Sequence, residues 1–88
     1  MLTEGKIYVV LSTIYALPID LFKINNDQIN HRDFDKVITI ENKSNPNIFM
    51  FIEYLYDMYD TQYCKILYNN NLYVIQGPYH IEDFITKI

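Results

Sequence analysis

Side chains able to do chemistry fall in three places in this chain. Cys64 is the only thiol, and His31 and His80 are the only imidazoles. The stretch "EYLYDMYDTQY", Glu53 to Tyr63, interleaves four phenols with three carboxylates. A catalytic thiol needs a base or cation that lowers its pKa. No histidine stands beside Cys64, and small buried cysteines are common, so it reads as a core residue. His31 lies in "NHRDFD" near Asp33 and Asp35. A metal or acid–base role can be imagined, but these groups sit on a loop with no second histidine at helical or hairpin spacing, so His31 reads as a solvated loop histidine. His80, Glu82 and Asp83 read as one polar helical turn whose carboxylates favour its N-terminal end. The two glycines, Gly5 and Gly77, stand too far apart to cradle a phosphate. No catalytic residue, metal ligand or cofactor is expected, and an enzyme is not the reading these residues support.

The tyrosine-rich stretch points elsewhere. Rings beside carboxylates on one surface suit a partner carrying Arg or Lys, through cation–π contact and charge complementarity. Glu53, Tyr54, Tyr56, Asp57, Tyr59 and Asp60 form the candidate partner-binding patch, with Met58 as a soft apolar contact. The alternative is a solvated strand end or helix face whose rings cover a small core.

Composition limits the partner. The seven Lys and Arg residues are scattered through a chain of net charge −4. Nucleic-acid binding needs a basic patch that displaces counterions from phosphate, and none is visible. A single cysteine excludes an internal disulfide and fits a reducing compartment. No apolar run approaches the ~18 residues that cross a bilayer, and the N-terminus lacks a secretory pattern. A cytoplasmic protein is expected. Eighty-eight residues allow one domain, and half of them are apolar, which argues against disorder.

The elements that must position the patch are mostly strands. "GKIYVVLS" alternates Ile7, Val9 and Leu11 with Tyr8 and Val10. Residues 13–34 read as a long loop, with Pro18 breaking any helix and a helical turn allowed from Ile19 to Ile24. "DKVITIE" is a second strand, and "NKSNPN" is a turn cluster. "IFMFIEYLYDMYD" fits two templates. As a strand it sets Ile48, Met50, Ile52, Tyr54 and Tyr56 on an apolar face, against a mixed face of Phe49, Phe51, Glu53, Leu55 and Asp57. As a helix over residues 46–60 it sets Ile48, Phe51, Ile52, Leu55 and Tyr59 on one side. Residue type favours the strand. "YCKILYNNNLYVIQG" is a hairpin turning at asparagines, with Cys64, Ile66 and Tyr68 on one face. "YHIEDFITKI" closes the chain with one helical turn and a short edge strand.

This layout resembles an SH3-like β-barrel, and in particular the small SH3-like proteins encoded by bacteriophages. The resemblance rests on "EGKIYVV" at the start and "LYVIQGPYHIEDFITKI" at the end, roughly residues 5–12 and 63–88. It implies a mainly β fold: a barrel of about five strands, a long first loop, a short C-terminal helical turn, and a last strand lying beside the first. An α+β fold with a helix at 46–60 is the alternative. Residues 13–34 lack the aromatic pattern of a proline-peptide groove. The function expected is a non-catalytic interaction module, a phage or mobile-element accessory protein that binds and modulates a host protein. A nucleic-acid-associated barrel and a homo-oligomeric structural piece, most simply a homodimer, are the alternatives.

Overall fold

The computed structural model describes residues 1–21, 23–25, 28–30, 36–57, 59–78 and 80–88. Its strands are β1 (Ile7–Val10), β2 (Thr13–Pro18), β3 (Lys23–Asn25), β4 (Gln28–Asn30), β5 (Ile38–Glu41), β6 (Ile48–Tyr56), β7 (Gln62–Tyr68) and β8 (Asn71–Gly77). A 3₁₀ turn (Ile81–Phe84) then leads into β9 (Ile85–Lys87). Seven strands form one antiparallel sheet in the order β5-β2-β8-β7-β6-β1-β9, while β3 and β4 pair as a separate ribbon. The fold is mainly β, a curled sheet that makes half a barrel.

The curl follows from where the apolar side chains go. All seven strands send residues into one core: Tyr8 and Val10 from β1, Ile14 from β2, Ile40 from β5, Phe49 and Phe51 from β6, Cys64 and Ile66 from β7, Ile75 from β8, and Ile85 from β9. A flat sheet could not bring both of its edges to the same cluster, so burial and the native twist of strands bend it. Leu2, Ile81 and Phe84 close the open side. On the opposite face Leu17 and Val74 form a smaller cluster with Ile19, Leu21, Val37, Leu55 and Tyr63.

β6 settles the choice between strand and helix. It is extended for nine residues, and no helix runs over 46–60 among the described residues. The helical periodicity was real, but β-branched and aromatic side chains flanked by β1 and β7 gain two ladders of hydrogen bonds and a buried face. The expected faces need correction. Phe49 and Phe51, on the supposedly mixed side, are buried, whereas Ile48 is exposed. The register then shifts: Phe51 faces Ile66 while Glu53 faces Lys65, leaving Ile52 as one extra residue. This bulge reverses the alternation, so Tyr54 joins the core face and Glu53 leaves it.

The expected loop at 13–34 also needs correction, because it begins as strand β2 and carries β3 and β4. β2 lies between β5 and β8, buries Ile14, Ala16 and Leu17, and ends at Pro18, where a missing N–H does no harm. Instead of a helical turn from Ile19, a tight turn follows in which the Leu21 N–H donates to the Pro18 carbonyl at 3.0 Å. His31, Asp33, Phe34 and Asp35 lie outside the described residues, as do Phe22, Met58 and Tyr79.

Other elements stand where expected. β7 and β8 turn at Asn69 and Asn70, both left-handed (φ 50° and 68°), as a two-residue hairpin loop requires. The 3₁₀ turn buries Ile81 and packs Phe84 on the core. β9 pairs antiparallel with β1, setting Val10 opposite Ile85.

Candidate interaction site at the tip of the β6–β7 hairpin

The loop joining β6 to β7 is built around Asp57. Its backbone N–H donates to the Thr61 carbonyl (3.2 Å), and its carbonyl accepts from the Asp60 N–H (3.1 Å). Its Oδ1 accepts from the N–H groups of Tyr59 (2.8 Å) and Thr61 (2.9 Å). Asp60 is left-handed, with φ 61°. A turn closed by a left-handed residue, with an Asp accepting from the second residue on, is a loop chemistry that Asp supports well. Partial burial works against the Asp57 carboxylate, but the N–H groups of Thr61 and Tyr59 and the hydroxyls of Thr61 and Tyr63 outweigh it and hold its pKa below the ordinary value. Burial, followed by the charge and hydrogen bond of Asp57, raises the Tyr63 phenol.

The six candidate residues therefore divide. Tyr54 belongs to the core: its ring lies 4.7 Å from that of Phe51, and its hydroxyl accepts from the Leu2 N–H at 2.7 Å. Burial raises its pKa, and the Leu2 N–H partly offsets this. Asp57 holds the loop together. Tyr59 (78% exposed), Tyr56 (49%) and Asp60 are exposed at the tip. Glu53 is exposed on the opposite side of β6 from Tyr54 and Tyr56, facing Lys65. The structure thus brings Tyr56, Tyr59 and Asp60 together on an accessible tip, with Asp57 beneath them, and sets Glu53 and Tyr54 apart.

Beside the tip runs a groove of about 230 Å³ on the open side of the half-barrel. Tyr54, Gln62, Cys64, Gln76, Pro78 and Glu82 are among the residues lining it. Gln62 joins groove to tip, donating from Nε2 to the Tyr56 hydroxyl at 3.0 Å. Sequence reasoning did not assemble this groove, because its walls come from three strands and the 3₁₀ turn and only the curl makes them neighbours. Cys64 is buried, and loss of solvent, helped by the Glu82 charge, pushes its thiol up to about 12. It is a core side chain, not an activated nucleophile. His80 is exposed just before the 3₁₀ turn, where its carbonyl accepts from the Asp83 N–H at 3.2 Å. Among the described residues no three His, Cys, Asp or Glu side chains gather as a metal site, and no helix is long and apolar enough to cross a membrane.

No protein-family model, curated protein or solved structure matches this chain.

Proposed function

We propose that this chain is a small non-catalytic interaction module that engages a partner protein through the β6–β7 tip. The observation that carries this is the exposure of Tyr56 and Tyr59 beside Asp60, at a loop whose Tyr59 and Thr61 N–H groups donate to the Asp57 carboxylate. Three other tyrosines have structural employment: Tyr8 accepts from the Thr3 N–H, Tyr54 accepts from the Leu2 N–H, and Tyr68 donates to the Pro46 carbonyl, while Tyr15 is 47% exposed on β2. Exposed rings offer a large contact area with few rotatable bonds to fix on docking, and a neighbouring carboxylate selects a partner bearing Arg or Lys. The adjoining groove offers a ledge for a side chain of the same partner. The layout resembling phage-encoded SH3-like proteins supports a setting in which the module occludes a host protein by contact.

Charge reversal at Asp57 would disturb the loop itself, so the test spares that residue. Biotinylated protein and its Tyr59→Ala and Asp60→Asn variants are used to capture partners from bacterial lysate, with thermal melts run in parallel. Asn tolerates the left-handed backbone at position 60. The expected result is a band held by the parent and lost by both variants at unchanged melting temperature. Equal capture by all three removes the proposal.

A further inference from the structure

The groove beside the tip presents ring surface and hydrogen-bond acceptors. Tyr54 on β6 and Cys64 on β7 stand opposite each other in register, and both line it. Gln62 lies two residues before Cys64 and so on the same face, which carries the groove to the tip. Gln76 from β8 and Glu82 from the 3₁₀ turn also line it. Both glutamines spend amide hydrogens inside the chain. Gln62 donates to the Tyr56 hydroxyl at 3.0 Å, and Gln76 donates to the Val74 carbonyl at 3.3 Å, which leaves each side-chain carbonyl oxygen as an acceptor. Among the described residues that line the groove, Glu82 is the one ionised at neutral pH, and no lysine or arginine lines it. Burial is the main reason that the Cys64 thiol and the Tyr54 phenol titrate high, and the Glu82 charge adds to both, so that charge is felt across the groove. The Met1 ammonium approaches Glu82 Oε1 at 3.9 Å. This is the limit of ion-pair distance, and both side chains are more than half exposed, so another cation displaces the ammonium at little cost.

We propose that this groove receives an arginine side chain of the partner, whose guanidinium meets the Glu82 carboxylate and the glutamine carbonyls beside the Tyr54 ring. The inference rests on the reading of the tip as a partner-binding surface, and names the side chain taken up next to it. Complementarity of charge and hydrogen bonding selects the occupant. A neutral or acidic side chain would leave Glu82 without a counter-charge and the carbonyls without donors. A guanidinium is a planar fork of N–H donors that engages a carboxylate and a carbonyl together while its face lies on an aromatic ring. A lysine ammonium is a compact point charge with no plane to lay on that ring. The net charge of −4 draws a basic segment towards the chain. Size agrees. The groove holds about 230 Å³, below the ~300–1,000 Å³ of small-molecule sites, which suits one side chain rather than a whole ligand. Position agrees as well. Gln62 touches both the groove and Tyr56, so a segment docked on Tyr56 and Tyr59 has the groove within reach of one long side chain.

NMR titration of isotope-labelled protein with the capped tripeptide glycyl-arginyl-glycine tests this, with the citrulline tripeptide as its neutral isostere. The arginine peptide is expected to shift the side-chain amides of Gln62 and Gln76 and the backbone amide of Glu82, with a Kd on the order of 1–10 mM. The citrulline peptide binds at least about threefold more weakly, and Glu82→Gln, at an exposed position, weakens the arginine peptide by about threefold to fivefold. Tyr59→Ala binds the arginine peptide as the parent does, because Tyr59 does not line the groove. Equal affinity for the two peptides, or no saturable shift at the groove amides, overturns the inference without recourse to any variant. Unchanged arginine binding in Glu82→Gln overturns it too. The two readings fail separately. Absent peptide binding with Tyr59-dependent partner capture intact removes the groove and keeps the tip. Capture indifferent to Tyr59 with peptide binding intact removes the tip and keeps the groove as an arginine site.

Discussion

The first half of β6 and the hairpin tip into which it runs are made from the same residue classes, and the fold uses them in opposite ways. Phe49 and Phe51 are sealed in the core, with Phe49 stacked on Tyr8 at 5.8 Å. A few residues later Tyr56 and Tyr59 stand in water. Between them lies one extra residue, Ile52, and a loop pinned by one carboxylate. Aromatic content therefore says little about role. What separates core from contact surface is where the ladder slips and where the partner strands end.

The difference can be broken most forcefully from the buried side. Phe51→Ala leaves a cavity at the centre of the half-barrel and is expected to cost about 3–5 kcal/mol, a large share of a small domain's stability, read from urea unfolding. The next largest effect is alkaline. Cys64 ionises near its ordinary value of about 9 in the unfolded chain but only at about 12 when folded. Its contribution is complete below pH 9 and is lost as pH rises towards 12, because the unfolded chain then holds fewer protons. Unfolding midpoints should fall over that window, and less steeply in Cys64→Ala. The folded thiol should also resist iodoacetamide at neutral pH.

Smaller changes sharpen the boundary. Tyr54→Phe keeps the ring against Phe51 and removes the hydroxyl that accepts from Leu2, so a loss of about 0.5–1.5 kcal/mol is expected. Asp57→Asn acts through the tip loop. The depressed pKa of Asp57 contributes stability that is present above the unfolded value of 3.8 and lost as pH falls through the folded one. An acid titration of the melting temperature should therefore be flatter in Asp57→Asn than in the parent. Tyr59→Ala should move stability by no more than about 0.5 kcal/mol, since its ring touches mainly water. A large effect there would place Tyr59 with the core and dissolve the contrast.

Much of the fold was legible from local signals. The Asn69–Asn70 turn, the 3₁₀ turn at Ile81–Phe84 and the closing strand beside β1 each follow from residue chemistry that acts over a few positions. β2 was hidden because Pro18 reads as a breaker, although at the end of a strand it breaks nothing. The candidate site was legible as a stretch but not as a surface. Tyr54 and Tyr59 have similar neighbours in sequence, and only the Leu2 N–H and the Phe51 ring claim the former.

By itself the sequence determined the class of the fold, the positions of the tight turns and the location of the tyrosine–carboxylate stretch, because propensity and alternation act over distances the chain cannot alter. Tertiary structure alone decided the face each β6 side chain takes, the insertion of β2 between β5 and β8, and the groove that joins Gln62 to Glu82. Those depend on a one-residue register shift and on the curl that lets seven strands share one core. Both are set by contacts between residues far apart in the chain, and no local pattern encodes them.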